Sequence, residues 1–145
     1  MSMNFQGKVA IVTGAGGGIG RAVTLALAQA GAKVTVVDLS EREGQETAHL
    51  VNDGGGEAIF VRADVSQVQD VAGYVTSTLQ SWGRIDVFMN NAGWQGPVTP
   101  LVEMEDELFD RVMAINVRGA YLGLKHVLPV MIDQCRGAVV NVGSL

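Results

Sequence analysis

The sequence predicts a doubly wound parallel α/β sheet, and three observations lead to this fold class. Short apolar runs alternate with helical stretches along the chain. The apolar runs are rich in valine and isoleucine, which is typical of strands covered on both faces. Glycine-rich or polar segments follow the strands, where such a sheet has its ligand crevice. Because 145 residues with 48% hydrophobic composition supply one sizeable core, we expect a single domain over residues 1–145.

Three strands and three helices are expected in the first half of the chain. Strands are predicted at residues 8–13, 33–38 and 58–62. Helices are predicted at residues 18–30, which Gly31 ends, at about 41–52, and along the apolar positions Val68, Val71, Val75, Leu79 and Trp82. The step of three or four between these last positions indicates a helix face that lies in the core.

The second half adds two strands and one long helix. The strands are predicted at residues 85–89 and 137–142. A loop that carries Pro97 and Pro100 leads to a helix over about residues 105–134, which Pro129 is expected to kink. We therefore expect about five strands, the fifth of them at an exposed edge, as part of a larger, Rossmann-like sheet.

Composition argues against several classes of function. Ten basic and fifteen acidic residues give a net charge of −5. The basic residues are scattered along the sequence and do not form a cluster that could follow phosphates, so a nucleic-acid partner is not expected. The two histidines and the one cysteine lack the spacing of a zinc site. Apolar runs fall short of the roughly 20 residues that cross a bilayer, and the first residues do not resemble a signal peptide. We expect a cytoplasmic protein without metal or disulfide.

The first strand runs into a glycine-rich turn followed by a helix. Without side chains, backbone amides can approach a pyrophosphate at the helix N-terminus, so dinucleotide binding explains this order better than a flexible turn does. The pattern of Thr13, Gly14, Gly18, Ile19 and Gly20 resembles the Thr-Gly-x-x-x-Gly-x-Gly fingerprint of the short-chain dehydrogenases/reductases. The resemblance implies that these five residues contact the cofactor.

Asp38 ends the second strand and indicates the type of cofactor. A carboxylate there can accept hydrogen bonds from both adenosine ribose hydroxyls and would repel a 2′-phosphate, which favours NAD. Asp38 could instead cap the following helix, although Ser40 is available for that role. Arg42 leaves NADP open as an alternative.

Two further segments resemble cofactor-binding motifs of the same family. Asp64 and Val65 follow the third strand, and the resemblance implies that they bind the adenine ring. The Asn-Asn-Ala-Gly segment that ends at Gly93 follows the fourth strand. By resemblance it stabilises the sheet and lines the cofactor near its riboses, with Asn91, Ala92 and Gly93 as contacts.

Two catalytic residues are implied by the resemblance. Asn116 lies within the long helix, where the family has an asparagine that distorts the helix and holds a water in a proton relay. Ser144 takes the place of the family's catalytic serine, with Gly143 where a serine is frequent. The family's Tyr-x-x-x-Lys motif is expected about a dozen residues later, beyond Leu145. Tyr121 and Lys125 spell the same motif but precede Ser144, so we interpret them as a coincidence.

The resemblance implies NAD-dependent interconversion of a secondary alcohol and a ketone by hydride transfer. We expect residues 1–145 to be C-terminally incomplete and therefore inactive on their own. We also expect them to be poorly soluble or to depend on a partner. The alternatives are a non-catalytic dinucleotide-binding protein and a fold completed by a separate chain. Trp94 and Gln95 are candidates for substrate contact, although Trp94 could equally be packing. The long helix resembles the family's interface helix, which implies a homodimer or homotetramer.

Overall fold

Five parallel strands form one sheet in the computed structural model, which describes residues 4–143. The strands are β1 Val9–Thr13, β2 Lys33–Asp38, β3 Glu57–Arg62, β4 Val87–Asn90 and β5 Ala138–Asn141. The helices are α1 Gly18–Gln29, α2 Glu41–Asp53, α3 Val68–Trp82, α4 Asp106–Met113 and α5 Gly119–Asp133, with a 3₁₀ turn at Leu101–Glu103 and a π-helical segment at Ala114–Arg118. The strand order β3-β2-β1-β4-β5 reverses direction at β1, which confirms the doubly wound fold.

Most predicted elements agree with the structure to within one residue at each end, and two differ by more than that. The fourth strand begins at Val87 because the backbone N–H and C=O of Ile85 pair with the Gln134 side chain, at 3.0 and 2.7 Å. The predicted helix over residues 105–134 is divided into α4 and α5 by the π-helical segment between them. A hydrophobic pattern cannot show where β4 begins or where the long helix is interrupted. It reports which residues are buried and not the hydrogen-bond partner of each amide.

Apolar side chains cover both faces of the sheet. One buried cluster joins Ile11, Phe88 and Val37 to α3 and α5, and the other joins Val12 and Val34 to α1 and α2. Alternate residues of β1 therefore enter opposite clusters, and all five residues of β1 are buried. This central strand fixes where the glycine turn that follows it lies.

The predicted core face of α3 is confirmed for most of its length. Val71 and Val75 are buried, and Leu79 packs against the same cluster. Val68 departs from the prediction, since it is 42% exposed. It occupies the first helical position, where the chain has only begun to approach the sheet.

A buried carboxylate joins the chain segments at the amino ends of the strands. Asp86 is bonded through both carboxylate oxygens to Arg84 and accepts the backbone N–H of Val9 at 3.0 Å. Lys8 and Arg136 approach the same carboxylate at 3.9 and 3.8 Å. Burial raises the pKa of Asp86, but the hydrogen bonds from Arg84 and Val9 outweigh it, and the net pKa lies below the ordinary value.

β5 lies at the edge of the sheet, as the sequence predicts. Within residues 4–143 it pairs with β4 alone, and three of its four residues are exposed. The predicted low solubility or need for a partner stays a prediction, because an edge strand presents free backbone groups without specifying what covers them. Over the same residues, the helices lack the combined length and apolar character that a bilayer span requires.

The end of α5 generates a stability prediction. Cys135 has a φ of 53°, and the N–H groups that follow the helix close a Schellman motif on Met131 and Ile132. Because a Cβ is unfavourable in this left-handed conformation, Cys135→Gly should raise the free energy of unfolding by about 1 kcal/mol. Urea unfolding measures the difference. Cys135→Ala keeps the Cβ and should show no such gain, and an equal gain in both variants would contradict the explanation.

Candidate functional site

The glycine turn after β1 needs glycine at defined positions. Gly14 and Gly18 have φ values of 63° and 49°, which favour glycine. A Cβ on Gly14 would lie 2.9 Å from the Cα of Ala92, and one on Gly20 would overlap the carbonyl oxygen of Gly14. The turn is therefore packed closely against both the loop after β4 and its own helix.

Helix α1 presents its N-terminus beside this turn. Gly17 is the N-cap residue, and no side-chain cap bonds the first turn within the described chain. The amides of that turn are left for another acceptor, and the helix dipole favours an anion there. Ile19 lies in the same turn, and its side chain is 62% exposed. The predicted pyrophosphate position therefore has open amides and an exposed apolar side chain beside them.

Thr13 and Asn91 join the ends of β1 and β4. The Thr13 hydroxyl is buried and accepts the N–H groups of Asn91 and Ala92, both at 3.0 Å. The Asn91 side-chain amide donates to the carbonyls of Thr13 and Gly14, at 2.9 and 3.2 Å. Thr13 and Asn91 were predicted to contact the cofactor. In the structure, the Thr13 hydroxyl and the Asn91 side-chain amide form hydrogen bonds that hold the glycine turn in its shape.

Asn90 begins the Asn-Asn-Ala-Gly segment, and the sequence analysis did not give it a separate role in the site. It is 6% exposed, and its side-chain amide donates to the Ala120 carbonyl and the Asn141 side-chain oxygen, both at 3.0 Å. Asn90 thus ties β4 to α5 and β5. A signal was present in the sequence: Asn90 follows Phe88 by two positions, so it faces the same buried side and requires polar partners.

Asp38 lies against the glycine turn. One carboxylate oxygen accepts the N–H of Gly16 at 2.8 Å, and the other accepts the N–H of Ser40 at 2.9 Å. Ser40 is the N-cap of α2, as the sequence allowed. The Arg42 side chain is 87% exposed and pairs with Glu43 at 3.6 Å. Asp38 is therefore oriented by backbone donors toward the turn.

Arg21 fastens the glycine turn to α2, a role that the sequence did not reveal. Its guanidinium donates to the Gly16 carbonyl at 2.6 Å and to the Thr47 hydroxyl and the Glu46 carboxylate, both at 2.9 Å. Only the folded arrangement brings these acceptors, which are 5 to 26 positions away in the chain, to one guanidinium. The turn is thus held from both sides.

A cavity of about 270 Å³ opens beside Asp38, and we call it the Asp38 cavity. Its walls include Gly14, Asp38, Asp64, Val65, Ala92 and Gly93, which are all predicted cofactor contacts. Asp64 is held in place because its Oδ1 accepts the N–H and the hydroxyl of Ser66, at 2.9 and 2.7 Å. The structure thus brings together predicted cofactor contacts from four segments that lie far apart in sequence.

A second cavity, of about 650 Å³, lies around Asn116 and is called the Asn116 cavity. Its walls include Asn91, Trp94, Gln95 and Gly143. Ser144, the predicted catalytic serine, follows Gly143 and lies outside the described residues. The two cavities share Ala92, Gly93 and Trp94, so the loop after β4 separates them.

Asn116 lies in the π-helical segment and is exposed, yet both ends of its side chain have partners. Its oxygen accepts the N–H of Trp94 at 2.7 Å, and its amide donates to the Trp94 carbonyl at 2.9 Å. The helix is distorted at the position that the family resemblance implied. A π-helical turn breaks the regular pairing of backbone carbonyls, which is a frequent feature of functional sites.

Tyr121 and Lys125 lie outside both cavities. Tyr121 is exposed on α5, and the Lys125 ammonium lies 5.7 Å from the centre of its ring. Neither residue contributes to the walls of the Asp38 cavity or the Asn116 cavity. The geometry agrees with the interpretation of this Tyr-x-x-x-Lys pattern as a coincidence of sequence.

Comparison with known proteins shows which family the chain resembles in sequence. The model of the short chain dehydrogenase family matches residues 8–145. An uncharacterized oxidoreductase of Thermotoga maritima is 44% identical over 142 residues, which cover 98% of this chain and 55% of that protein. The levodione reductase of Leifsonia aquatica is 42% identical over 143 residues, covering 97% of this chain and 54% of that one.

Solved structures show the same fold. The crystal structure of a levodione reductase superposes with a TM-score of 0.94 at 40% identity and covers 97% of this chain and 55% of that chain. An NAD⁺-bound xylitol dehydrogenase gives a TM-score of 0.93 at 40% identity, with coverage of 97% and 54%. The present chain therefore spans about half the length of the proteins it matches.

The bonds of Thr13 generate a prediction for the site. Thr13→Val keeps the shape but leaves two backbone N–H groups without their acceptor, so the free energy of unfolding should fall by about 2–4 kcal/mol. Thr13→Ser keeps the hydroxyl and should cost about 1 kcal/mol through the lost methyl group. Chemical denaturation of both variants gives the comparison. A loss for Thr13→Val no larger than that for Thr13→Ser would contradict the role of the hydroxyl as the acceptor that holds the two strand ends together.

Proposed function

The chain belongs to the short-chain dehydrogenase/reductase family of oxidoreductases, and from this premise we propose that it supports NAD-dependent interconversion of a secondary alcohol and a ketone. The observation that carries the proposal is the Asp38 carboxylate, held beside the glycine turn in a cavity that five other predicted cofactor contacts also line. Residues 1–145 are proposed as the NAD-binding domain, and the activity is proposed for the whole protein.

The shape of the glycine turn fits a dinucleotide. A Cβ at Gly14 or Gly20 would fill space that the turn needs to lie against Ala92 and its own backbone. The unpaired amides of the first turn of α1 would hold the diphosphate. Thr13 and Asn91 would act indirectly, since their hydrogen bonds keep the turn in place.

The carboxylates of the Asp38 cavity support NAD over NADP. Asp38 keeps acceptor capacity for ribose hydroxyls and would repel a 2′-phosphate. Asp64 and Val65 would bind the adenine ring, and Ala92 and Gly93 would line the riboses. A xylitol dehydrogenase of the same fold was solved with NAD⁺, which supports the assignment for this chain. When bound, the nicotinamide would supply the hydride chemistry.

Asn116 and Ser144 are proposed to act on the substrate side. Ser144 follows a residue that lines the Asn116 cavity, and its hydroxyl would hydrogen-bond the reacting oxygen of the substrate. Since the Asn116 side chain is bonded to Trp94 at both ends, we assign the relay role to its backbone carbonyl in the π-helical segment. A tyrosine and a lysine beyond Leu145 would complete the proton transfer. Tight NAD binding without turnover in the full-length protein would favour the non-catalytic alternative.

Asp38 provides the test of cofactor type. The full-length protein should bind NAD more tightly than NADP, and Asp38→Asn should reduce this preference by about tenfold, because the repulsion of the 2′-phosphate is lost. Titration calorimetry gives both dissociation constants. Glu43→Gln removes a neighbouring charge outside the Asp38 cavity and should leave the preference within about twofold of wild type. A wild-type protein that binds NADP more tightly would overturn the NAD assignment.

Self-association is the second part of the proposal. Exposed apolar side chains recur every four positions along α4, the π-helical segment and α5, at Phe109, Met113, Val117 and Tyr121. Such a stripe on adjoining helical segments is typical of a protein interface, because isolated exposed residues do not normally align. The family resemblance implies the same helix, and we propose a homodimer or homotetramer built on this stripe.

A charge placed in the stripe tests this proposal. Phe109 is 52% exposed, so Phe109→Glu should leave the fold intact while lowering the oligomeric mass measured by light scattering. Val98 is 89% exposed in the loop after β4 and outside the stripe, and Val98→Glu should leave the mass unchanged. A wild-type monomer, or equal dissociation in both variants, would refute the assignment of the stripe.

A further inference from the structure

Arg111 and Trp94 form a stacked pair in the wall of the Asp38 cavity. The guanidinium carbon lies 4.5 Å from the centre of the indole ring, and both residues line that cavity. The backbone that carries the indole is held in place, because Asn116 bonds the N–H and C=O of Trp94. Arginine has a mobile side chain that loses rotamer freedom when it is held in place, so this support reduces the entropy that a ligand contact would cost.

The charges of the cavity make Arg111 distinct. Its described walls carry two carboxylates, Asp38 and Asp64, and Arg111 is the one cation among them. The remaining walls are largely apolar and include Val65 and Leu39, whose side chain is 50% exposed. A planar, electron-rich ring suits such a space, since apolar walls would contact it and a guanidinium can stack on its face.

We propose that Arg111 is a further cofactor-binding residue, whose guanidinium stacks on the adenine ring and whose orientation is set by the indole of Trp94. This inference rests on the proposed NAD binding. It adds a residue of α4 to a site otherwise built from the glycine turn and the strand ends. Trp94 is a positioning residue in this arrangement, because it acts on the adenine only through Arg111.

The test is ligand binding to the full-length protein, measured by calorimetry with NAD, ADP-ribose and nicotinamide mononucleotide. Arg111→Gln should weaken the binding of NAD and ADP-ribose by about tenfold. It should leave nicotinamide mononucleotide, which has no adenine, within about twofold of wild type. Lys125→Gln is the matched control, because it removes a cation from an aromatic ring outside both cavities. It should leave all three dissociation constants unchanged.

Arg111→Lys separates stacking from charge. Lysine keeps the charge but not the planar group. The affinity of the Arg111→Lys variant for ADP-ribose should therefore lie closer to that of the Arg111→Gln variant than to that of the wild-type protein. Full recovery with lysine would show that charge alone matters and would overturn the stacking proposal. An Arg111→Gln protein that binds ADP-ribose as tightly as the Lys125→Gln control would overturn it as well. Arg111 is exposed, and circular dichroism of each variant verifies folding.

Trp94 supplies an independent test of positioning. Trp94→Ala should weaken ADP-ribose binding in the wild-type background but have no further effect when Arg111 is already glutamine. Trp94→Phe keeps an aromatic face and should restore most of the affinity. Additive losses would overturn the positioning role of Trp94. Failure of the wild-type protein to bind NAD would instead refute the proposed function, and with it this inference, so the two failures are distinguishable.

Discussion

The end of β1 lies against the end of β4 because the buried hydroxyl of Thr13 accepts two N–H groups from the loop after β4. Gly14 can then approach Ala92 as closely as a missing Cβ permits, and Asn91 returns two hydrogen bonds to the turn. The Thr13 hydroxyl is buried, so leaving its two donors without an acceptor would be costly. Both cavities depend on it, since each uses the loop that this contact holds in place.

The two ends of the sheet satisfy charge in opposite ways. At the carboxyl ends of the strands, Asp38 is oriented by backbone N–H groups and keeps acceptor capacity toward a cavity. At the amino ends, Asp86 is surrounded by Arg84, Lys8 and Arg136. The carboxylate of Asp86 is neutralised by its own chain and serves the fold, whereas that of Asp38 faces a space in which a ligand can meet it.

The fold and the cofactor motifs could be predicted from the sequence because they depend on local patterns. β2 extends over the predicted residues, and the glycine turn was identified from the order of strand, turn and helix. Contacts between distant segments could not be predicted in this way. The bonds of Arg21 and the stacking of Arg111 on Trp94 arise from tertiary neighbours. Asn91 shows the same limit, because its motif was recognised while its bonds to the glycine turn were not.

The clamp between Asn116 and Trp94 is made to the backbone of residue 94 and not to its indole. Any residue with a free N–H could be held there at the same distance, so the clamp does not restrict which side chain residue 94 carries. Residue 94 lies in the wall between the two cavities, and its backbone position therefore does not depend on which side chain it carries. Selection, or an engineer, could exchange the tryptophan for an aliphatic or polar side chain and change the surface offered to both cavities while the loop keeps its place.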